Sequence, residues 1–227
     1  MTRTINVADY KTVTFDCYGT LIDWESGLLG YLQPLFKGYY INTIDEFVLT
    51  CFSELEPAAQ AQGGSYREVL ARVMEGFARR LAFTPTDDVI SGLAQSVEQW
   101  PAFEDTLPAL QTLKAHFELC VVSNTDDDLF ESSSKHLGVE FDHVVTAQKV
   151  GAYKPDPAMF ETALGVVKAP VLHVAQSRFH DIVPASTMGL DTVWINRPSR
   201  GAARPVEANP TWTFDSLADF TAALATD

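Results

Sequence analysis

The sequence predicts the α/β class: a parallel sheet covered by helices on both faces and interrupted early by an inserted helical segment. Three observations predict it. Short apolar runs without alternating polarity recur along the chain, as strands buried on both faces require. From about residue 103 onward these runs alternate with helix signals, the order that builds such a sheet. Between residues 23 and 102 helix signals are strong and no convincing strand occurs.

The first strand is Thr12-Val13-Thr14-Phe15, β-branched and aromatic, stopped by Asp16 and Gly19. Two capping-box patterns follow, Thr43-Ile44-Asp45-Glu46 and Ser65-Tyr66-Arg67-Glu68. The first leads into Phe47, Val48, Cys51, Phe52 and Leu55, the second into Val69, Leu70, Val73, Met74, Phe77 and Leu81. Both series have the three-to-four spacing of amphipathic helices. Gly63-Gly64 reads as a turn inside this segment and Trp100-Pro101 as the return to the sheet. A sheet does not easily absorb so long a helical stretch. Residues 23–102 therefore read as a separate helical domain, and residues 1–22 with 103–227 as the α/β core.

Asp105 is placed to cap a helix carrying Leu107, Leu110, Leu113 and Phe117 on one face. Leu119 to Val122 is the next strand, and Asp126 opens a helix that stops at Gly138. His143 to Ala147 is a strand. Asp156-Pro157 sets a cap and then a proline at the first helical position, ahead of Met159, Phe160 and Leu164. Val171 to Ala175 is a strand, Ile182 to Met188 a short helix ending at Gly189, and Thr192 to Ile195 a further strand.

The chain has 227 residues, enough for a sizeable core, and its 46% hydrophobic and 20% charged residues argue against disorder. Sixteen Lys and Arg face thirty Asp and Glu, a formal charge of −14. Such a chain repels a phosphate backbone, so nucleic acid is not an expected partner. No apolar run approaches the ~20 residues that span a bilayer, so no membrane partner is expected either. Met1 to Tyr10 is polar and mixed, without a secretory signal. Cys17, Cys51 and Cys120 are odd in number and contain no CxxC, which indicates neither a disulfide framework nor a zinc site. A reduced, cytoplasmic setting is the expectation.

In sheets of this class ligands bind beyond the carboxyl ends of the strands. Those ends carry Asp16, Ser123-Asn124, the loop from Lys149 to Lys154, and Gln176 to Asp181. Four polar loops on one side of one sheet form a candidate site, and a helical domain inserted after the first would lie over it as a lid. A carboxylate at Asp16 can attack an electrophile, coordinate a metal or cap the next turn, while Gly19 permits a tight turn behind it. Residue types alone leave these three open.

Asp16-Cys17-Tyr18-Gly19-Thr20-Leu21, Ser123-Asn124, Lys154-Pro155-Asp156 and the Asp181 loop resemble, in order and spacing, the four motifs of the haloacid dehalogenase superfamily. The resemblance covers nearly the whole chain and implies a Rossmann-like three-layer core with an inserted helical cap. Most members are magnesium-dependent phosphatases with a second Asp two residues after the nucleophile. That position here is Tyr18, whose phenol is a poor substitute for a hard-cation ligand and, with an unperturbed pKa of ~10, a poor base at neutral pH. Ala175-Gln176-Ser177-Arg178-Phe179-His180-Asp181 also holds one carboxylate where the phosphatases carry more. The subgroup with Tyr is similar to the type II 2-haloacid dehalogenases, so neither metal nor other cofactor is expected. The resemblance implies that Asp16 displaces halide from a short 2-haloacid. Water then cleaves the ester at the Asp16 carbonyl, and a 2-hydroxy acid of inverted configuration leaves.

By the same resemblance Lys154 balances the charge of Asp16 and helps bind the substrate carboxylate. Asp181 pairs with Lys154 and places or activates the hydrolytic water. Thr20, Ser123 and Asn124 supply hydrogen bonds to the nucleophile, substrate or halide, and Tyr18 forms pocket wall. Some positions depart from the family. Its halide-holding cap Arg falls in Leu35-Phe36-Lys37-Gly38-Tyr39-Tyr40, which has none, and Arg67 is the candidate replacement. Phe160 stands where the family has a Tyr. Ser177-Arg178-Phe179-His180 replaces a stretch with Asn, making His180 a candidate base or halide donor. Related enzymes are often dimers, so a homodimer is compatible with the resemblance. The competing readings are a magnesium-dependent phosphatase of a small phosphate ester, a hydrolase of another small carboxylate through the same Asp16 ester, and a binding protein that kept the fold. Asp126-Asp127-Asp128 reads as the acidic first turn of a helix rather than a calcium loop.

Overall fold

A computed structural model describes residues 4–198 and 206–225. After a two-residue strand β1 (Ile5–Asn6), the chain enters β2 (Thr12–Phe15), every residue of which is buried. The remaining strands of the main sheet are β3 (Glu118–Ser123), β4 (His143–Thr146), β5 (Val171–Ala175), β6 (Asp191–Ile195) and β7 (Trp212–Phe214). They form one wholly parallel sheet in the order β4-β3-β2-β5-β6-β7. β8 (Leu224–Ala225) pairs with β1 in a small separate sheet. The chain winds outward from β2 through β3 to β4, then restarts on the other side of β2 with β5. That reversal opens a crevice at the carboxyl ends of the central strands.

Four helices lie between β2 and β3: α1 (Trp24–Gly38), α2 (Asp45–Gln60), α3 (Tyr66–Leu81) and α4 (Asp87–Ser96). They pack chiefly on one another. In α3 the buried face is Val69, Leu70, Val73, Met74 and Phe77, at the predicted spacing. Each such side chain removed from water contributes about 1.5–3 kcal/mol before entropy is counted. Around the sheet run α5 (Thr106–Lys114), α6 (Asp127–Ser134), α7 (Ala147–Val150), α8 (Pro157–Val166), α9 (Val183–Thr187) and α10 (Leu217–Ala222). No helix among the described residues is long and apolar enough to cross a membrane.

The Ser65 capping box forms in full, Glu68 N–H donating to Ser65 Oγ and Ser65 N–H to the Glu68 carboxylate. The Thr43 box does not. α2 begins behind Ile44 without a side-chain cap, because the Thr43 hydroxyl donates instead to Gln33 Oε1 at 3.0 Å. Asp105 likewise precedes α5 without capping it. Its carboxylate accepts from Arg197 Nη2 at 2.7 Å and Leu217 N–H at 2.8 Å, fastening three parts of the core. The helix expected from Ile182 starts earlier, as a π-turn over Arg178–Ile182 that runs into α9. β7 has no counterpart in the sequence reading.

Candidate active site

Asp16 follows the last residue of β2 and is 7% exposed. Behind it the chain reverses through Gly19, at φ +100°, with Leu21 N–H donating to Cys17 O at 2.8 Å. The turn brings the Thr20 hydroxyl back onto Asp16, where it donates to Oδ2 at 2.7 Å. Thr20 Oγ1 in turn accepts from Gln176 N–H at 2.9 Å, so the loops after β2 and β5 hold each other.

Lys154 is buried, and its ammonium donates three hydrogen bonds: to Asp16 Oδ1 at 2.8 Å, Asp181 Oδ1 at 2.7 Å and Val122 O at 2.7 Å. Asn124 positions it by clamping its backbone, accepting from Lys154 N–H at 2.6 Å and donating to Lys154 O at 3.0 Å. An ammonium has three N–H groups. All of them are used within the protein, so Lys154 in this arrangement offers no free donor to a substrate carboxylate.

Asp181 lies in the π-turn, fully buried. Its Oδ1 faces both the Lys154 ammonium and His173 Nε2, the latter at 3.2 Å. Asp181 Oδ2 has no hydrogen-bond partner among the described residues, and neither has Ser123 Oγ at the end of β3. Both residues line the same cavity as Asp16. A buried polar atom without a partner costs free energy unless water or ligand supplies one.

Two carboxylates around one ammonium leave the cluster with a net negative charge. Burial pushes the Asp16 carboxyl above its ordinary value against the pull of Lys154, and the Asp181 charge adds to the rise. Burial acts on Asp181 too, but Lys154 and His173 outweigh it and hold that carboxyl below the ordinary value. Burial would lower Lys154, and the two carboxylates overcome it and raise the ammonium.

The cavity above the cluster measures about 760 Å³. Trp24, Phe52, Pro57 and Trp100 from the helical segment line one side, and Arg178, His180 and Trp194 from the core line another. Tyr18 contributes wall: its hydroxyl lies 2.9 Å from Ser133 Oγ and its ring meets Trp100 edge-on at 5.8 Å. Burial raises the phenol far above its ordinary value, so it stays protonated. His180 lines the cavity with Nδ1 3.1 Å from Ser177 Oγ. Arg67 does not line it. Its guanidinium is partly exposed and bonds Asp128 Oδ2 at 2.6 Å, while Tyr66 and Arg67 N–H groups donate to Asp126. The halide role considered for Arg67 therefore gains no support from its position.

Four contributors escaped the sequence reading. His173 and Thr14 sit side by side on paired strands, with Thr14 Oγ1 2.8 Å from His173 Nδ1, and back Asp181 from behind. One polar residue inside Val171–Ala175 was the available signal. Arg178 and Trp194 are cavity wall, the guanidinium lying 4.9 Å from the indole centroid. No group of three or more His, Cys, Asp or Glu side chains able to hold a metal occurs among the described residues.

The model of the haloacid dehalogenase-like hydrolase family matches residues 10–175. An (S)-2-haloacid dehalogenase of Pseudomonas sp. (strain YL) is 25% identical over 218 residues, covering 92% of each chain. A pyrimidine 5'-nucleotidase of Escherichia coli (strain K12) is 27% identical over 152 residues, covering 63% of this chain and 65% of its own. The L-2-haloacid dehalogenase of Xanthobacter autotrophicus, solved with chloropropionic acid covalently bound, superposes with a TM-score of 0.76 at 20% identity, covering 93% of this chain and 97% of the other.

Proposed function

This chain belongs to the haloacid dehalogenase-like hydrolase family, and we propose that it hydrolyses 2-haloacids to 2-hydroxy acids through an ester on Asp16, without a metal. The observation that carries the reading is the placement of the three charged groups. Asp16 is held by Lys154 and Thr20 at the cavity floor, and the second carboxylate, Asp181, has one oxygen without a partner among the described residues. The (S)-2-haloacid dehalogenase relative, matched over 92% of each chain, supports the same substrate class.

In the first step a carboxylate oxygen of Asp16 attacks C2 from the side opposite the halogen. A C–O bond forms, the C–halogen bond breaks and halide leaves with the electron pair. Burial strips Asp16 of the hydration that weakens an exposed carboxylate as a nucleophile, and Lys154 and Thr20 keep it oriented. We take α1 to α4 as the cap that encloses the reacting groups, and residues 1–22 with 103–227 as the core. Ser123 Oγ is available to donate to the substrate.

In the second step water attacks the Asp16 carbonyl carbon and gives its proton to Asp181 Oδ2. That assignment follows from the other oxygen, Oδ1, being occupied by Lys154 and His173. The acyl C–O bond breaks, the departing alkoxide takes the proton from Asp181 to become the 2-hydroxy acid, and the second proton of the water is released as Asp16 returns to a carboxylate. Splitting one difficult displacement into two easier steps is the advantage of covalent catalysis.

The test is a single turnover of (S)-2-chloropropanoate in ¹⁸O-water, followed by mass spectrometry of the Asp16 peptide. Label is expected on Asp16, with halide released in the presence of EDTA and abolished in Asp16→Asn. An unlabelled Asp16 in a turning-over enzyme, or phosphate release from a phosphate ester that requires magnesium in place of halide release, overturns the reading.

A further inference from the structure

The cations of the site are unequally engaged. Lys154 spends its three N–H groups inside the protein. Arg197 donates to Asp105 and to Thr20 O, and its guanidinium lies 3.8 Å from the Phe103 ring centroid. Arg178 lines the cavity too, yet among the described residues its guanidinium has no hydrogen bond or ion pair to a carboxylate. It rests on Trp194, which is itself fixed by donating its indole N–H to Gln176 O at 2.8 Å. A guanidinium on an aromatic face is held ready, with its N–H edge free to grip a carboxylate through two parallel bonds. In a chain of net charge −14, an anion needs such a local cation to stay in the site.

The cavity is also large for a three-carbon acid. At about 760 Å³ it falls in the range, ~300–1,000 Å³, that houses drug-sized ligands. Its wall opposite the core is aromatic: Trp24 packs against Phe52 with centroids 5.2 Å apart, and Trp100 and Pro57 line the same side. Such a surface rewards an apolar ring.

We propose that Arg178, seated on Trp194, anchors the substrate carboxylate, and that the preferred substrate is a 2-haloacid bearing an aromatic side chain packed toward Trp24 and Phe52. This deepens the dehalogenase reading and rests on it for the chemistry, though the binding half of the proposal can be measured without any reaction.

Binding of 3-phenylpropanoate and propanoate, neither of which has a leaving group, is measured by calorimetry on wild type, Arg178→Ala and Arg178→Lys, with thermal melts to verify folding. Steady-state kinetics with 2-chloro-3-phenylpropanoate and 2-chloropropanoate accompany it. Phenylpropanoate is expected to bind wild type at least about 10-fold more tightly than propanoate, a gap that burial of one ring exceeds. Arg178→Ala should weaken that binding about 10- to 100-fold, the scale of a lost charge-assisted contact, and Lys should restore part of it. In turnover the loss should fall on KM, with kcat nearly kept. Equal binding by wild type and a folded Arg178→Ala, or no preference for the aryl acid, overturns the inference. If phenylpropanoate binds through Arg178 but no haloacid alkylates Asp16, the dehalogenase reading fails and the anchor stands. If chloropropanoate alkylates Asp16 while the aryl acid fails to bind, the inference alone falls.

Discussion

His173 Nε2 lies 3.2 Å from Asp181 Oδ1, the oxygen that also meets Lys154, so it is Oδ2 that has no partner among the described residues. Thr14 Oγ1 lies 2.8 Å from His173 Nδ1 and 3.5 Å from Leu172 O, holding the ring from behind. A carboxylate oxygen only accepts, so the proton of the His173–Asp181 contact is on Nε2 and points at Asp181. Replacing His173 with Leu removes one of the two donors that orient the carboxylate. We expect kcat to fall about 10-fold, the scale of one charge-assisted hydrogen bond, with KM little changed. On the proposed mechanism the loss falls on hydrolysis of the ester, so alkylated Asp16 should accumulate at steady state and be visible by intact mass. A slower enzyme without that species would place His173 in the first step or in folding alone.

Lys154 and Asp16 should respond in opposite ways to neutralisation. Lys154→Met leaves Asp16 and Asp181 facing each other in a buried site with no countercharge. Uncompensated buried charge of this kind costs about 3–5 kcal/mol, so the variant should melt far below wild type or fail to accumulate folded. Asp16→Asn instead leaves Lys154 paired with Asp181 and removes the surplus negative charge, while an amide can still meet Lys154 and Thr20. Its melting temperature should equal or exceed that of wild type although turnover is lost. Differential scanning calorimetry on the two variants checks both signs.

The pH profile follows from the same cluster. The proposed attack needs Asp16 ionised, and burial holds its carboxyl above the ordinary ~3.9. The acid limb of kcat/KM should therefore lie above that of an ordinary carboxylate, and Asp181, held low, stays ionised through it. The stability contribution of Asp16 has the opposite sense to the usual carboxylate. With a raised folded value, it is fully present below the unfolded value and is lost as pH rises through the folded one. Asp16→Asn should therefore lose the acid limb's stability gain and be relatively more stable at neutral pH. An acid limb at or below pH 4 contradicts the assignment of Asp16 as the nucleophile in a buried state.

The fold was legible because its strands are short, apolar and separated by helix signals, and because Asp156-Pro157 and Ser65 to Glu68 carry their caps in local sequence. β7 was not, since three residues with an exposed Thr213 between Trp212 and Phe214 give too brief a pattern. Thr43 shows the limit of local rules: a hydroxyl with a side-chain acceptor on another helix abandons the cap. At the site, Asp16, Lys154 and Asp181 are legible as candidates because they stand in ordered motifs in the segments after the strands, and the structure brings the three together. Arg67 looked available as a cation only because its partner, Asp128, is sixty-one positions away in the chain. His173 and Arg178 were passed over for a related reason, as their meaning lies in neighbours, Thr14 and Trp194, that sequence distance conceals.

Tyr18 stands two residues after Asp16, where the resemblance expects a second Asp in a phosphatase. Its side chain is packed against Trp100 and bonded to Ser133 rather than available as an anion. Tyr18→Asp would place a third carboxylate near Asp16 and Asp181 while opening a gap beside Trp100. We expect dehalogenation to drop at least about 10-fold, from lost wall and added repulsion on the nucleophile. Phosphatase activity with magnesium should stay at background, because one carboxylate does not rebuild a metal site on its own. Parallel assays with chloropropanoate and a generic phosphate ester, each with and without magnesium, decide it. Efficient magnesium-dependent phosphate release would show that Tyr18 alone separates the activities.

Two glycines of α1 give the packing around the cavity a paired test. A Cβ at Gly27 would collide with the Trp100 side chain, which is 2% exposed, donates its indole N–H to Ser96 Oγ at 3.2 Å and lines the cavity beside Tyr18. A Cβ at Gly30, three residues along the same helix, meets nothing within 4 Å. Gly30→Ala therefore gains only helix propensity, stabilising by up to ~1 kcal/mol. Gly27→Ala gains the same and loses more, since displacing a packed indole from its site costs about 1–3 kcal/mol. The two variants should move the denaturant midpoint in opposite directions, and only Gly27→Ala should alter turnover, because the displaced ring is cavity wall. Equal midpoint shifts in the two would mean that Trp100 yields freely, and that this side of the cavity is softer than its buried contacts imply.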